Sequence, residues 1–254
     1  MAGPDEVALE VREDALLRGR VPLRQPARGY RVNVDALWLA AFARASRPAA
    51  RALDLGAGVG AVGLVLAVSQ AAERATLLEI DAALSTLAGE NARGCGVADR
   101  VEVCEADLLR GLPRELWHAF DLVVANPPYG LEHATRPIAD ARKARARVGA
   151  SGTLEAFVRA SRAALGAAGR ACFVYPAGEL ARLLVGLREV GLEPKRLRMV
   201  HPLVDRPAAV VLVEAKPARR GGLRVAAPLV AMRAPGEWTD EARAILEGGF
   251  FGLG

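Results

Sequence analysis

An α/β fold around a mostly parallel sheet is the expectation for this chain, and three observations carry it. Short apolar runs suited to buried strands alternate with segments of helical periodicity. The first of those runs ends in a glycine-rich turn, Asp54-Leu55-Gly56-Ala57-Gly58-Val59-Gly60, which opens a helix. The last two runs have no helix between them, so the final strand should run antiparallel to its neighbours.

The elements follow in order. Residues 1–28 lack clear periodicity, and Gly19 and Pro22 mark a short hairpin around 16–24. From 35 to 45, Ala36, Leu37, Leu39, Ala40, Phe42 and Ala43 recur as on a helix, with Asp35 placed to cap it. Seven strands are expected, at 52–55, 75–80, 101–104, 120–125, 170–175, 195–200 and 208–214. Helices at 62–71, 82–94, 153–165 and 179–189 fall between them and cover both faces of the sheet. Asp81 caps the second of these helices, and Gly94, Gly96 and Gly191 stop helices by tolerating the left-handed turn. Lys195, Arg196 and Arg198, on the sixth strand, read as charges facing water. A polar, turn-rich stretch at 216–222 precedes a tail in which Trp238, Phe250 and Phe251 are candidate anchors. The chain thus divides into an N-terminal extension (1–28), one domain (29–215) and a C-terminal tail packed on that domain (216–254).

Composition narrows the class. With 254 residues, 52% apolar and 25% charged, the chain is an ordinary globular one. No apolar run approaches the ~20 residues that cross a bilayer. Asp5, Glu6 and Glu10 do not read as a secretory signal, so a cytoplasmic protein is expected. Cys95, Cys104 and Cys172 show no CxxC spacing and read as small apolar side chains; no metal site is expected. A net charge of +5 fits an anionic partner.

In an open parallel sheet, ligands sit at the carboxyl ends of the strands where strand order reverses. Gly56, Gly58 and Gly60 would let the backbone approach a ligand there, because no Cβ intervenes. Gly58, Gly60 and Gly63 also spell the dinucleotide fingerprint, with Glu79 about 20 residues further on, so a nicotinamide-dependent oxidoreductase is a competing reading. Asp54 argues against it. A carboxylate at that strand end repels a pyrophosphate but suits the cationic amino and sulfonium groups of S-adenosylmethionine. Glu79, ending the second strand, can accept both ribose hydroxyls. Asp107, after the third strand, can accept from the donor's adenine amino group or cap the turn before Leu108.

The fourth strand runs into Asn126-Pro127-Pro128-Tyr129. An amino nitrogen on an aromatic ring is a poor nucleophile, since its lone pair is delocalised. Two acceptors, the Asn126 side-chain carbonyl and the Pro127 backbone carbonyl, can take both of its N–H bonds and aim the lone pair. The prolines stiffen the backbone and remove competing N–H donors. Tyr129, with Pro128, offers a surface on which a base can stack. Catalysis of this kind is positioning plus electrostatics, with no strong general base.

Asp54, Glu79, Asp107 and Asn126–Tyr129 together resemble the successive motifs of the class I amino-methyltransferases, a Rossmann-like fold with a seven-stranded sheet. Residues 29–40, 138–142 and 197–214 further resemble the tRNA(Val) adenine N6-methyltransferase family, over roughly 5–247 in all. That resemblance implies methylation of the adenine amino group 3′ of the anticodon, an RNA partner, no membrane, a monomer or homodimer, and a part for Asp35 in closing the donor pocket. Arg142, Lys143, Arg145 and Arg147 would grip RNA phosphates at the mouth of the site. The family usually has an acid shortly after its Ala-Arg pair, where this chain reads Ala141-Arg142-Lys143-Ala144-Arg145. The rival acceptors are a guanine or adenine of ribosomal RNA and a glutamine amide of a protein, for which the same asparagine motif is suited.

Overall fold

The computed structural model describes residues 9–28, 32–128, 150–217 and 220–249. Nine strands form one sheet in the order β10-β8-β9-β7-β6-β3-β4-β5, with β11 also paired to β8. Its principal strands are β3 (Ala49–Leu55), β4 (Ala72–Glu79), β5 (Val101–Glu105), β6 (Phe120–Ala125), β7 (Leu165–Pro176), β8 (Glu193–His201) and β9 (Val210–Lys216). All pairings from β7 to β5 are parallel, and β9 lies antiparallel between β7 and β8. The seven expected strands and the antiparallel last one are therefore present. Strand order reverses at β3, which pairs β4 on one side and β6 on the other.

Five helices flank this sheet: α1 (Asp35–Ala43), α2 (Ala61–Val68), α3 (Ala82–Gly94), α4 (Ala150–Ala164) and α5 (Leu180–Glu189). Side chains alternate across the pleat, so the two faces build two cores. Ala52, Leu77, Leu122, Val124, Cys172 and Leu212 pack under α1, α2 and α3. Leu53, Leu55, Leu78, Val123, Ala125 and Phe173 pack under α4 and α5. Helices α1 and α2 are apolar around most of their circumference, which suits helices covered on several sides. Their cover comes from outside the expected domain. The hairpin β1 (Val11–Leu16)–β2 (Val21–Pro26) buries Leu17, Val21 and Leu23 in the α2 core. Beyond β9 come the short strands β10 (Arg224–Val225), β11 (Leu229–Val230), β12 (Met232–Ala234) and β13 (Glu237–Trp238), then α6 (Asp240–Leu246). Trp238 meets Trp38 of α1 edge-on, with ring centroids 6.3 Å apart.

Several local expectations change. The hairpin is longer than 16–24, because β1 and β2 pair from Val11↔Pro26 to Leu16↔Val21. Asp35 does not cap α1. It lies inside the first turn, and its Oδ2 accepts from the Asn33 side-chain amide at 2.8 Å. Asp81 does cap α3, accepting from Ala83 N–H at 2.9 Å and Leu84 N–H at 3.2 Å. Of the cysteines only Cys172 is fully buried; Cys95 and Cys104 are half-buried. Arg196 and Arg198 do not simply face water: Arg196 pairs with Glu214 and Arg198 with Glu241. Phe250 and Phe251 lie outside the described residues.

Candidate active site at the carboxyl end of the sheet

Strands β3 and β6 are parallel neighbours, and Leu55 is the register partner of Ala125. Gly56 and Asn126 therefore leave adjacent strands at the same level, at the point where strand order reverses. This brings the glycine loop and the asparagine motif to one crevice. Pro127 is buried and Pro128 exposed beside it. Tyr129, Arg142, Lys143, Arg145 and Arg147 lie outside the described residues, as do 138–142 and 29–31.

The loop is held by carboxylates. Gly56, Gly58 and Gly60 all have positive φ, and at Gly58 (φ +57°) an added Cβ would meet open space. Gly58 is thus a backbone requirement on the open side of the loop. Gly63 is a packing requirement, since a Cβ there would come within 2.2 Å of Leu77 Cδ2. That closeness lets α2 approach β3 and puts Gly63 N–H 2.8 Å from Asp54 Oδ2. Asp54 is almost fully enclosed; burial lifts its carboxyl to about 7, against the Gly63 hydrogen bond, with the Glu79 charge adding to the rise.

Glu79 closes β4 and is also buried. Its Oε2 accepts from Gly58 N–H at 2.8 Å, and its Oε1 from Ile80 N–H at 2.8 Å and Asp81 N–H at 2.9 Å. Asp107, after β5, accepts from Leu109 N–H at 2.9 Å and lies 3.5 Å from the Arg110 guanidinium. It is therefore a cap, as one of its two expected readings had it, and its carboxylate remains partly exposed. Three acids thus end three successive strands.

This hydrogen bonding separates the two donor readings. A pyrophosphate needs the loop N–H groups for itself. Here Ala57 N–H bonds Leu78 O and Gly60 N–H bonds Ala57 O, while Gly58 and Gly63 give theirs to Glu79 and Asp54. The loop offers carboxylates where a dinucleotide needs donors, and it fits a ligand that carries positive charge.

A family model described as the methyltransferase small domain matches residues 35–176. The chain belongs to the methyltransferase small-domain family. Among its relatives, the tRNA1(Val) (adenine(37)-N6)-methyltransferase of Parabacteroides distasonis is 32% identical over 188 residues, 72% of this chain and 76% of the relative. The protein of the same name from Porphyromonas gingivalis strain ATCC 33277 is 28% identical over 78% of this chain and 79% of the relative. Among solved structures, a predicted O-methyltransferase of Agrobacterium tumefaciens superposes with a TM-score of 0.67 at 25% identity, covering 84% of this chain and 95% of its own. The family fixes the chemistry as methyl transfer from S-adenosylmethionine, and the nicotinamide alternative falls with the loop hydrogen bonds.

Three residues of this methyltransferase escaped sequence reasoning. Asn91, fully buried in α3, accepts from Arg24 N–H at 2.7 Å and donates to Arg24 O and Val59 O, both at 3.0 Å. It ties β2 to the glycine loop. Asparagine is disfavoured inside helices, and that was the available signal. Ile80, directly after Glu79, and Leu109, two residues after Asp107, are exposed by 59% and 55%. Large apolar side chains left exposed beside strand ends are not marked by any periodicity.

Proposed function

We propose that this methyltransferase modifies the exocyclic N6 amino group of adenine in tRNA, at the adenine 3′ of the anticodon of tRNA-Val, in the cytoplasm. The observation that carries the reading is the register of β3 against β6, which sets Asn126 beside the 56–60 loop. The names of the relatives supply the acceptor.

S-adenosylmethionine, when bound, supplies an electrophilic methyl group on a sulfonium. Gly56, Gly58 and Gly60 shape the loop against it, and Asp54, Glu79 and Asp107 are the carboxylates that would face its cationic and hydroxyl groups. Asp54 and Glu79 also act on the donor indirectly, by fixing Gly63 and Gly58. Ile80 and Leu109 suit the faces of a flat ring. Asp35 is assigned to closing this pocket, on the resemblance alone. On the acceptor side, the Asn126 carbonyl and the Pro127 backbone carbonyl accept the two N–H bonds of the target amino group and orient its lone pair. Pro128 and Tyr129 supply the stacking surface, and Arg142, Lys143, Arg145 and Arg147 the phosphate contacts.

Incubation with tritiated donor and total bacterial tRNA, followed by digestion to nucleosides, tests this. Label is expected in N6-methyladenosine. Label in a methylated guanosine, or only in protein, would replace the acceptor, and the ribose-methylated nucleosides report an oxygen acceptor separately.

A further inference from the structure

The opposite end of the sheet carries a cleft of about 550 Å³ with quite different chemistry. Among the described residues its charged lining is Arg44, Arg170, Lys195, Arg196, Lys216 and Arg224 against a single carboxylate, Glu214. Glu214 is largely buried, and three cations share it: Arg196 at 3.0 Å, Lys216 at 3.4 Å and Arg170 at 3.8 Å. Arg196 also donates to Phe42 O at 2.5 Å, closing the end of α1, and lies over the Phe42 ring at 4.0 Å. Its Nε is buried with no acceptor among the described residues.

Two further features describe the surroundings of this charge. Arg224 of β10 is the register partner of Arg196 of the parallel neighbour β8, which puts two guanidinium-bearing residues at one level on adjacent strands. Glu193, at the start of the same strand, is bonded by Arg188 at 3.1 Å and by Gly221 N–H at 2.8 Å, and the Lys195 charge acts on it as well. Arg198 makes the contrast. Two residues along the same strand, it has its own carboxylate, bonding Glu241 at 2.6 and 2.8 Å.

We infer that this cleft is a second anion site, which holds backbone phosphates of the RNA away from the base being methylated. The inference rests on the proposed RNA substrate. Its lining contains no aromatic ring and no Asn or Gln among the described residues, so it has no ring on which to stack a base and no amide with which to pair an adenine. Ligand pockets for small organic molecules are mostly apolar; one lined mainly by cations recognises negative charge. Its position suits an extended substrate. Arg170 is the register partner of Leu122, four residues before Asn126, which is about 13 Å along the strand. A phosphate held there belongs to a part of the RNA several nucleotides from the target.

The test uses a variant combining Lys195→Ala, Lys216→Ala and Arg224→Ala, which spares Arg170 and Arg196 because they neutralise the buried Glu214. Full-length tRNA is titrated by fluorescence anisotropy at several KCl concentrations. Each lost phosphate contact lowers the slope of log affinity against log salt by about 0.7–0.9. A fall of about 2 is expected, with affinity reduced tenfold or more and S-adenosylmethionine affinity unchanged. Lys195→Arg, Lys216→Arg and Arg224→Lys together should keep the wild-type slope; their failure to do so would mean that packing, not charge, was disturbed, and would overturn the inference. An unchanged slope in the alanine variant would also overturn it. So would pyrophosphate binding that is lost in that variant while its tRNA slope stays normal, since the cleft would then serve a small phosphate. Methyl transfer by the wild-type protein is scored separately, so a failure of the proposed reaction is distinguishable from a failure of this site.

Discussion

The two ends of the sheet handle charge in opposite ways. At the carboxyl end, Asp54, Glu79 and Asp107 finish β3, β4 and β5, and each accepts hydrogen bonds from backbone N–H groups. The Asp54 and Glu79 bonds use up the Gly63 and Gly58 donors that a glycine loop would offer a phosphate, and on the proposed reading these acids face a cationic methyl donor. At the amino end, cations crowd one carboxylate, and side chains rather than backbone supply the field. On the two proposals made above, a chain of net charge +5 would hold a positive cosubstrate and a polyanion on separate surfaces.

The sharpest way to separate the ends is Asn126→Ala. Losing one oriented polar group of a transition state costs roughly 10²–10³-fold in turnover. Donor affinity by calorimetry and the salt slope for tRNA should both stay as they were; a parallel loss of donor affinity would move Asn126 into the donor site. Gly63→Ala should come next. A Cβ 2.2 Å from Leu77 Cδ2 forces repacking, at about 1–3 kcal/mol, read as a lower Tm, and donor affinity should fall because Asp54 loses its register with the loop.

Asp54 gives the comparison a pH dependence. Its carboxyl titrates at about 7 in the folded chain against 3.8 as its ordinary value. The folded state therefore keeps a proton that the unfolded state has released. This contribution to stability falls as pH rises through that window and is flat above it. Asp54→Asn should accordingly gain on the wild type between about pH 4 and pH 7 in thermal melts. A cationic donor favours the ionised carboxylate, so donor binding should release a proton and tighten as pH rises through 7; equal affinity on both sides of 7 would mean that Asp54 only braces Gly63. The smallest effect belongs to Glu241→Gln. Its bond to Arg198 is half-exposed and contributes at most about 1 kcal/mol, so Tm should barely move.

Much of the carboxyl end was legible in the sequence, because its signals are local. Buried parallel strands read as short apolar runs, glycines mark the loop, and Asn126-Pro127-Pro128 follows β6 without a break. What those residues bond to was not legible. Glu79 reaches Gly58 and Asp54 reaches Gly63 only after β3, β4 and α2 have packed. Asp35 looked like a cap and is a first-turn residue bonded to Asn33, since the helix begins one residue before the pattern suggests. The amino end was hidden for a different reason. Arg196 meets Glu214 and Arg224 through strand pairings, so each alone reads as a strand charge in water. Strands of two residues, such as β10 and β11, carry no periodicity at all.

The most direct measurement compares two tRNA-Val transcripts that differ only in the base 3′ of the anticodon, adenine in one and guanine in the other. With tritiated S-adenosylmethionine, the adenine transcript should take up label at N6 and the guanine transcript none. Equal labelling of both, or labelling of neither alongside normal donor binding, would contradict the assignment of the Asn126 crevice to that amino group.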